Sequence, residues 1–230
     1  MAYNRETLEQ QLKALADPGY RDFMAPLIPD ADPETILGVR LPQLRKLAGD
    51  MERRGEAEAF FEELPHRYLE EDHLHSFLID LHCREFTQAL RETERFLPQI
   101  RNWAVCDSFR PRALQGEKAR LYPYLLAWLD SEAVYTRRLS LVLQLNWYLG
   151  EDFDPKMLES IARLRSNEYY VNMAAAWYWS MALVYQYDAA IPYLKEQRLS
   201  PWIHNKAIAK ARESRQIPRE RKACLKTLKV

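Results

Sequence analysis

Trp103 and Asp107 stand four residues apart in the segment Asn102-Trp103-Ala104-Val105-Cys106-Asp107-Ser108-Phe109. On a helix that spacing projects an aromatic face and a carboxylate from one side, and a π-face beside an anion suits a cation. The same spacing also serves plain architecture, with Trp103 in a core and Asp107 paired to Arg110 or capping a helix. Both readings are open on spacing alone.

Two further segments carry chemistry-bearing residues. Tyr135-Thr136-Arg137-Arg138 opens an otherwise apolar stretch. Adjacent helical residues point about 100° apart, so the two arginines cannot share one role. Arg138 is the candidate phosphate clamp, because a guanidinium offers bidentate contacts to phosphate oxygens; an ion pair with Glu132 or Asp107 is the alternative. In Tyr169-Tyr170-Val171-Asn172-Met173-Ala174-Ala175-Ala176-Trp177 the alanines allow a neighbouring backbone to approach Trp177. Ordinary helix packing uses the same combination.

Several chemistries lack their residues. His66, His73, His75, His82 and Cys83 match no zinc spacing, so no metal is expected. There is no Gly-rich phosphate loop, Gly-x-Ser-x-Gly elbow or dinucleotide fingerprint, and therefore no cofactor. Cys83, Cys106 and Cys224 are odd in number and far apart, as expected of reduced thiols. No run approaches the roughly 18 apolar residues of a membrane span, and Met1 to Glu9 lacks a basic region followed by an apolar one. A cytoplasmic protein is expected, and nothing requires more than a monomer.

The elements that must position these residues are helices. A chain of 230 residues, 47% hydrophobic, is long enough for a sizeable core, and 13 Pro against 6 Gly without runs of alternating polarity point to helices broken by proline. The fold class is all-α. Short helices are expected over Arg5 to Ala16 and Tyr20 to Leu27, then a Pro-rich joint and a helix with Leu44, Leu47 and Met51 on one face. Apolar-striped segments begin near Tyr68, Asn102, Glu132, Tyr169 and Trp202, at spacings of 34, 30, 37 and 33 residues. These spacings predict helix-turn-helix repeats stacked as a curved α-solenoid, with Ala113 to Leu129, Pro155 to Leu164 and Arg219 to Leu228 among the paired helices. A four-helix bundle would need four long helices instead. No linker separates domains, so one domain over 1–230 is expected, with short helices to about residue 65 and repeats from 66 to 230.

Net charge is zero but uneven: residues 191–230 hold 11 Lys and Arg against 3 Asp and Glu, a local +8 that the preceding residues balance with −8. A basic terminal surface facing an anionic partner is one reading and a solvated helix pair the other.

Taken in order, Tyr20-Arg21-Asp22-Phe23-Met24, Gly38-Val39-Arg40-Leu41-Pro42 with Leu44-Arg45, Asn102 to Asp107, Arg137-Arg138 and Asn205-Lys206-Ala207-Ile208 resemble the AlkD-like DNA alkylation repair family across essentially the whole chain. The resemblance implies HEAT-like repeats forming a C-shaped solenoid whose concave face holds duplex DNA. It implies removal of cationic N3- and N7-alkylpurines without drawing the base into a deep pocket, unlike most glycosylases. It assigns Trp103, Asp107 and Trp177 to catalysis and Arg138 to a phosphate; Arg137, Asn205, Lys206, Lys210 and Arg212 are the further candidates for contact with DNA. The net acidity of residues 1–190 runs against duplex wrapping, which relies on phosphate neutralisation, and the Asn-Trp-Ala-Val-Cys-Asp form with Met173 near Trp177 also resembles subfamilies of weak or absent activity that bind branched or unusual DNA, where Arg215 and Arg219 would join the basic set. A protein-interaction scaffold is the third use of such repeats.

Overall fold

The computed structural model describes residues 3–230, and among these the ordered elements are helices only. They are α1 (Arg5–Leu15), α2 (Pro18–Met24), α3 (Leu41–Arg53), α4 (Ala57–Phe61), α5 (Leu69–His82), α6 (Phe86–Phe96), α7 (Trp103–Ser108), α8 (Arg112–Gln115), α9 (Lys118–Leu129), α10 (Val134–Trp147), α11 (Lys156–Ala162), α12 (Tyr169–Tyr185), α13 (Tyr187–Lys195), α14 (Pro201–Glu213) and α15 (Arg219–Thr227). The fold is all-α. No helix among the described residues is long and apolar enough to cross a membrane.

Helix starts follow local chemistry. Asn4, Asp17 and Asn102 cap α1, α2 and α7 by accepting from the backbone N–H groups of Thr7, Tyr20 and Val105. Pro18 and Pro201 occupy first-turn positions, where a missing N–H costs nothing. The expected helix over Ala113 to Leu129 is broken at Gly116 and Glu117 into α8 and α9. Gly116 ends the short α8 and favours the break, being a poor helix former.

Contacts divide the chain into two compact units, the second being Tyr122–Val230. In the first, α5 packs against α3, α6 and α7, while α6 meets α8. The Gly-Val-Arg-Leu-Pro motif works as a clasp here. Glu70, buried on α5, accepts from the consecutive N–H groups of Leu37, Gly38 and Val39 at 3.1, 2.8 and 3.1 Å. Gly38 has φ +87°, and a Cβ there would stand 2.5 Å from the Asp17 carbonyl oxygen, so no other residue fits. Arg40 then pairs with Asp17 at 2.9 Å.

In the second unit α12 lies between α10 and α14. Its core gathers Tyr178, Trp179, Leu183, Ala174 to Ala176 and, from α14, Ile203, Ala207, Ile208 and Ala211. Small residues on both helices let their backbones approach, which is the work the alanine run does. Arg138 Nη1 donates to Tyr170 O at 2.8 Å where α10 and α12 begin, and Gln186 donates to Leu149 O where they end, so the two run side by side in one direction.

The first unit buries an unusual set of titratable groups. His66 Nε2 and His75 Nδ1 share a hydrogen bond of 2.8 Å, with His66 stacked on Phe60 and His75 on Phe96. His73 Nδ1 lies 3.2 Å from Ser108 Oγ, whose own proton goes to Val105 O, so the imidazole is the donor. Burial pushes His66 and His73 down to about 4 and His75 below its usual range. Burial pushes Asp72 up to about 8 and Glu70 upward as well.

The signs oppose. Unfolded histidines take protons near 6.5 that the folded ones refuse until about 4, so stability is lost as pH falls through that window. Folded Asp72 keeps a proton up to about 8 that the unfolded chain releases near 3.8, so stability is lost as pH rises. Three histidines outweigh two carboxyls on the acid side, and above 6.5 the loss at Asp72 remains. The urea midpoint of this unit is expected to peak near pH 6.5 and fall towards both 5 and 8. Asp72→Asn should flatten the alkaline limb; an unaltered limb would discard the assignment.

Candidate functional site

Asn102 fixes the start of α7, so Trp103 is its first residue and Asp107 follows one turn later. Both are partly exposed. The Trp103 indole donates through Nε1 to Leu27 O at 2.8 Å. This bond orients the ring, one side of which walls an apolar cavity of about 220 Å³ with Tyr20, Met24, Ile36, Glu70 and His73. Asp107 sits at the C-terminal end of α7, and Arg110 donates to its backbone carbonyl at 3.5 Å. A carboxylate beside helix-terminal carbonyls concentrates negative potential, the environment a developing cation needs.

Asp72 and Arg101 lie at a second, more polar cavity of about 250 Å³ that Asn102 also lines. The expected spacing of Trp103 and Asp107 on one helix is therefore found, with a buried carboxyl and a buried imidazole close behind Trp103. Glu70 carries no signal in sequence reasoning, and His73 is weighed there only as a metal ligand. They sit in the run Leu69-Glu70-Glu71-Asp72-His73, all five of which are buried although four are ionisable.

In the second unit the two arginines diverge, as adjacent helical positions must. Arg138 is 5% exposed and donates to Tyr170 O, with its guanidinium 5.9 Å from the Tyr170 ring. Arg137 reaches the carbonyls of Leu129 and Arg165 at 3.2 and 3.3 Å. Both staple α10 to neighbouring backbone. Trp177 is half-buried on α12 and packs against the unit's core.

On α14, Asn205 holds the last residue by two hydrogen bonds, donating to Val230 O and accepting from Val230 N. Lys206 and Lys210 are partly exposed, and neither makes an ion pair among the described residues. Arg212 is partly exposed, with its Nε buried and unpartnered. Arg215 and Arg219 are exposed. Among the described residues no three His, Cys, Asp or Glu side chains gather as a metal site would require.

Helices carrying an aromatic and acidic pair, with cations on a separate helix, define an all-α protein. A protein-family model described as DNA alkylation repair enzyme matches residues 8–211. That span takes in both units, and the chain belongs to this family. Membership places it among DNA repair proteins, with DNA as substrate or partner. A search of curated proteins finds no match.

Proposed function

We propose that this chain is a DNA glycosylase of base excision repair that hydrolyses the N-glycosidic bond of cationic N3- and N7-alkylpurines in duplex DNA. In this reading it is a cytoplasmic monomer built from HEAT-like repeats. The observation that carries the proposal is the Trp103 and Asp107 pair at the oriented end of α7, in a chain of the alkylation repair family.

An alkylated purine already bears a positive charge, so the bond to C1′ breaks with its electron pair passing to the base. The base leaves neutral and needs no strong acid. Charge moves to the sugar as an oxocarbenium ion; Asp107 supplies negative potential there and the face of Trp103 supplies π-density. Water adds at C1′, loses a proton with Asp107 orienting it, and leaves an abasic site. Arg138, Arg137, Asn205, Lys206, Lys210 and Arg212 would hold the phosphates in this scheme.

A second reading, a silent binder of branched DNA, is favoured by one observation. Arg137 and Arg138 spend hydrogen bonds on backbone carbonyls, which leaves the lysines of α14 as the better phosphate contacts. The two separate on one experiment. Incubation with N-methylated duplex DNA is expected to release 3- and 7-methylpurines in proportion to time. No release at high protein concentration, with junction DNA still retarded in a salt-sensitive way, would replace the first reading by the second.

A further inference from the structure

Two of the most exposed aromatic rings in the second unit touch each other. Tyr169 is 56% exposed and Trp202 43%, and their rings meet edge to face with centroids 6.0 Å apart. The contact continues inward: Tyr169 meets Tyr170 at 5.2 Å, and Tyr170 meets Tyr135 at 5.8 Å. A ladder of rings thus runs along the first turns of α10, α12 and α14, buried at Tyr135 and open at Trp202. The buried end anchors the open end, so the two outer rings are held in place without being part of the core.

Exposed, pre-oriented aromatic surface beside unpaired cations fits one class of ligand well. Lys206 and Lys210 follow Trp202 by one and two turns on the same face of α14, without carboxylate partners among the described residues. The segment from residue 191 onward carries the local excess of positive charge. Glu168 and Glu132 are the nearby acidic residues in sequence, each preceding the ladder on its own segment. Aromatic rings alternating with lysines along one strip are how proteins hold nucleic-acid strands, rings against bases and cations against phosphates.

In an intact duplex the flat faces of bases are hidden between neighbours, so a fixed ring can stack only on a base that has left the helix. We propose that Tyr169 and Trp202 form a stacking platform for an unpaired nucleotide, with Lys206 and Lys210 on the adjoining phosphates, so that the protein favours DNA with a single-stranded tail or junction over blunt duplex. The proposal rests on DNA being the partner and adds which form is preferred.

Fluorescence anisotropy at low salt, with a blunt duplex and the same duplex carrying a short thymidine tail, tests it. The tailed DNA is expected to bind about ten-fold tighter, one stacked base being a difference of that order. Trp202→Ala and Tyr169→Ala should each remove most of that preference while leaving blunt-duplex affinity within about two-fold. Trp202→Phe should restore it. Both side chains are exposed, so the variants keep the fold, which circular dichroism checks. Equal affinity for the two DNAs, or equal loss for both in the alanine variants, overturns the platform while the DNA reading stands. Failure to bind either DNA overturns both.

Discussion

Asp107→Asn is expected to lower base release from N-methylated duplex by about 10²- to 10³-fold, the usual scale for removing one pre-positioned electrostatic contact, with DNA affinity changed only a few-fold. Asparagine keeps the size of the side chain and the short α7 with its Asn102 cap while removing the negative charge. The carboxylate acts late: it favours the oxocarbenium-like sugar more than the starting nucleotide, whose charge is spread over the base. The effect therefore falls on kcat rather than on binding.

Trp103→Ala is a less specific probe, because the indole also donates to Leu27 O and walls the cavity behind it. Trp103→Phe keeps an aromatic face but loses that donor, and separates π-density from positioning. Wild-type release by Asp107→Asn, measured by chromatography of the freed bases, would remove Asp107 from the mechanism.

How far the sequence carried these conclusions differs from residue to residue. Helix starts were legible because caps and prolines are local. Segments expected near Tyr68, Asn102, Glu132, Tyr169 and Trp202 begin as α5, α7, α10, α12 and α14 at Leu69, Trp103, Val134, Tyr169 and Pro201. The break in Ala113 to Leu129 was passed over, since one glycine between two helix-forming stretches weakens a helix without dictating its end.

Side chains whose partners are distant in sequence were not legible at all. Arg138 bonds a carbonyl 32 residues away, and Glu70 three amides 31 to 33 residues away. In both cases a charged residue is buried by contacts that its sequence neighbours do not announce. Asn205, expected on DNA, also holds the chain end, and its sequence neighbours give no sign of that contact.

The clasp at Glu70 gives the largest expected effect on stability. Glu70→Ala strips three consecutive N–H groups of their acceptor, two of them in bonds that are fully buried. Each orphaned buried donor costs about 1–3 kcal/mol, and part of this is recovered because the desolvated carboxylate, whose burial works against its charged form, is gone. A net loss of roughly 3 kcal/mol is expected, which lowers the melting temperature of the first unit by about 10 °C.

The damage should also be directional. Leu37 to Val39 lead from the α2 region into α3, with the Gly38 carbonyl accepting from Asp17 N at 3.2 Å. Loosening them frees α2 and the turn after it, where Leu27 O holds Trp103. Amide exchange at Leu37, Gly38 and Val39 should therefore speed up before global unfolding, and base release should fall together with the fixed orientation of Trp103. Glu70→Gln retains one acceptor oxygen and should fall between the two. A melting temperature unchanged in Glu70→Ala would show that the three amides find other partners and that the clasp contributes little.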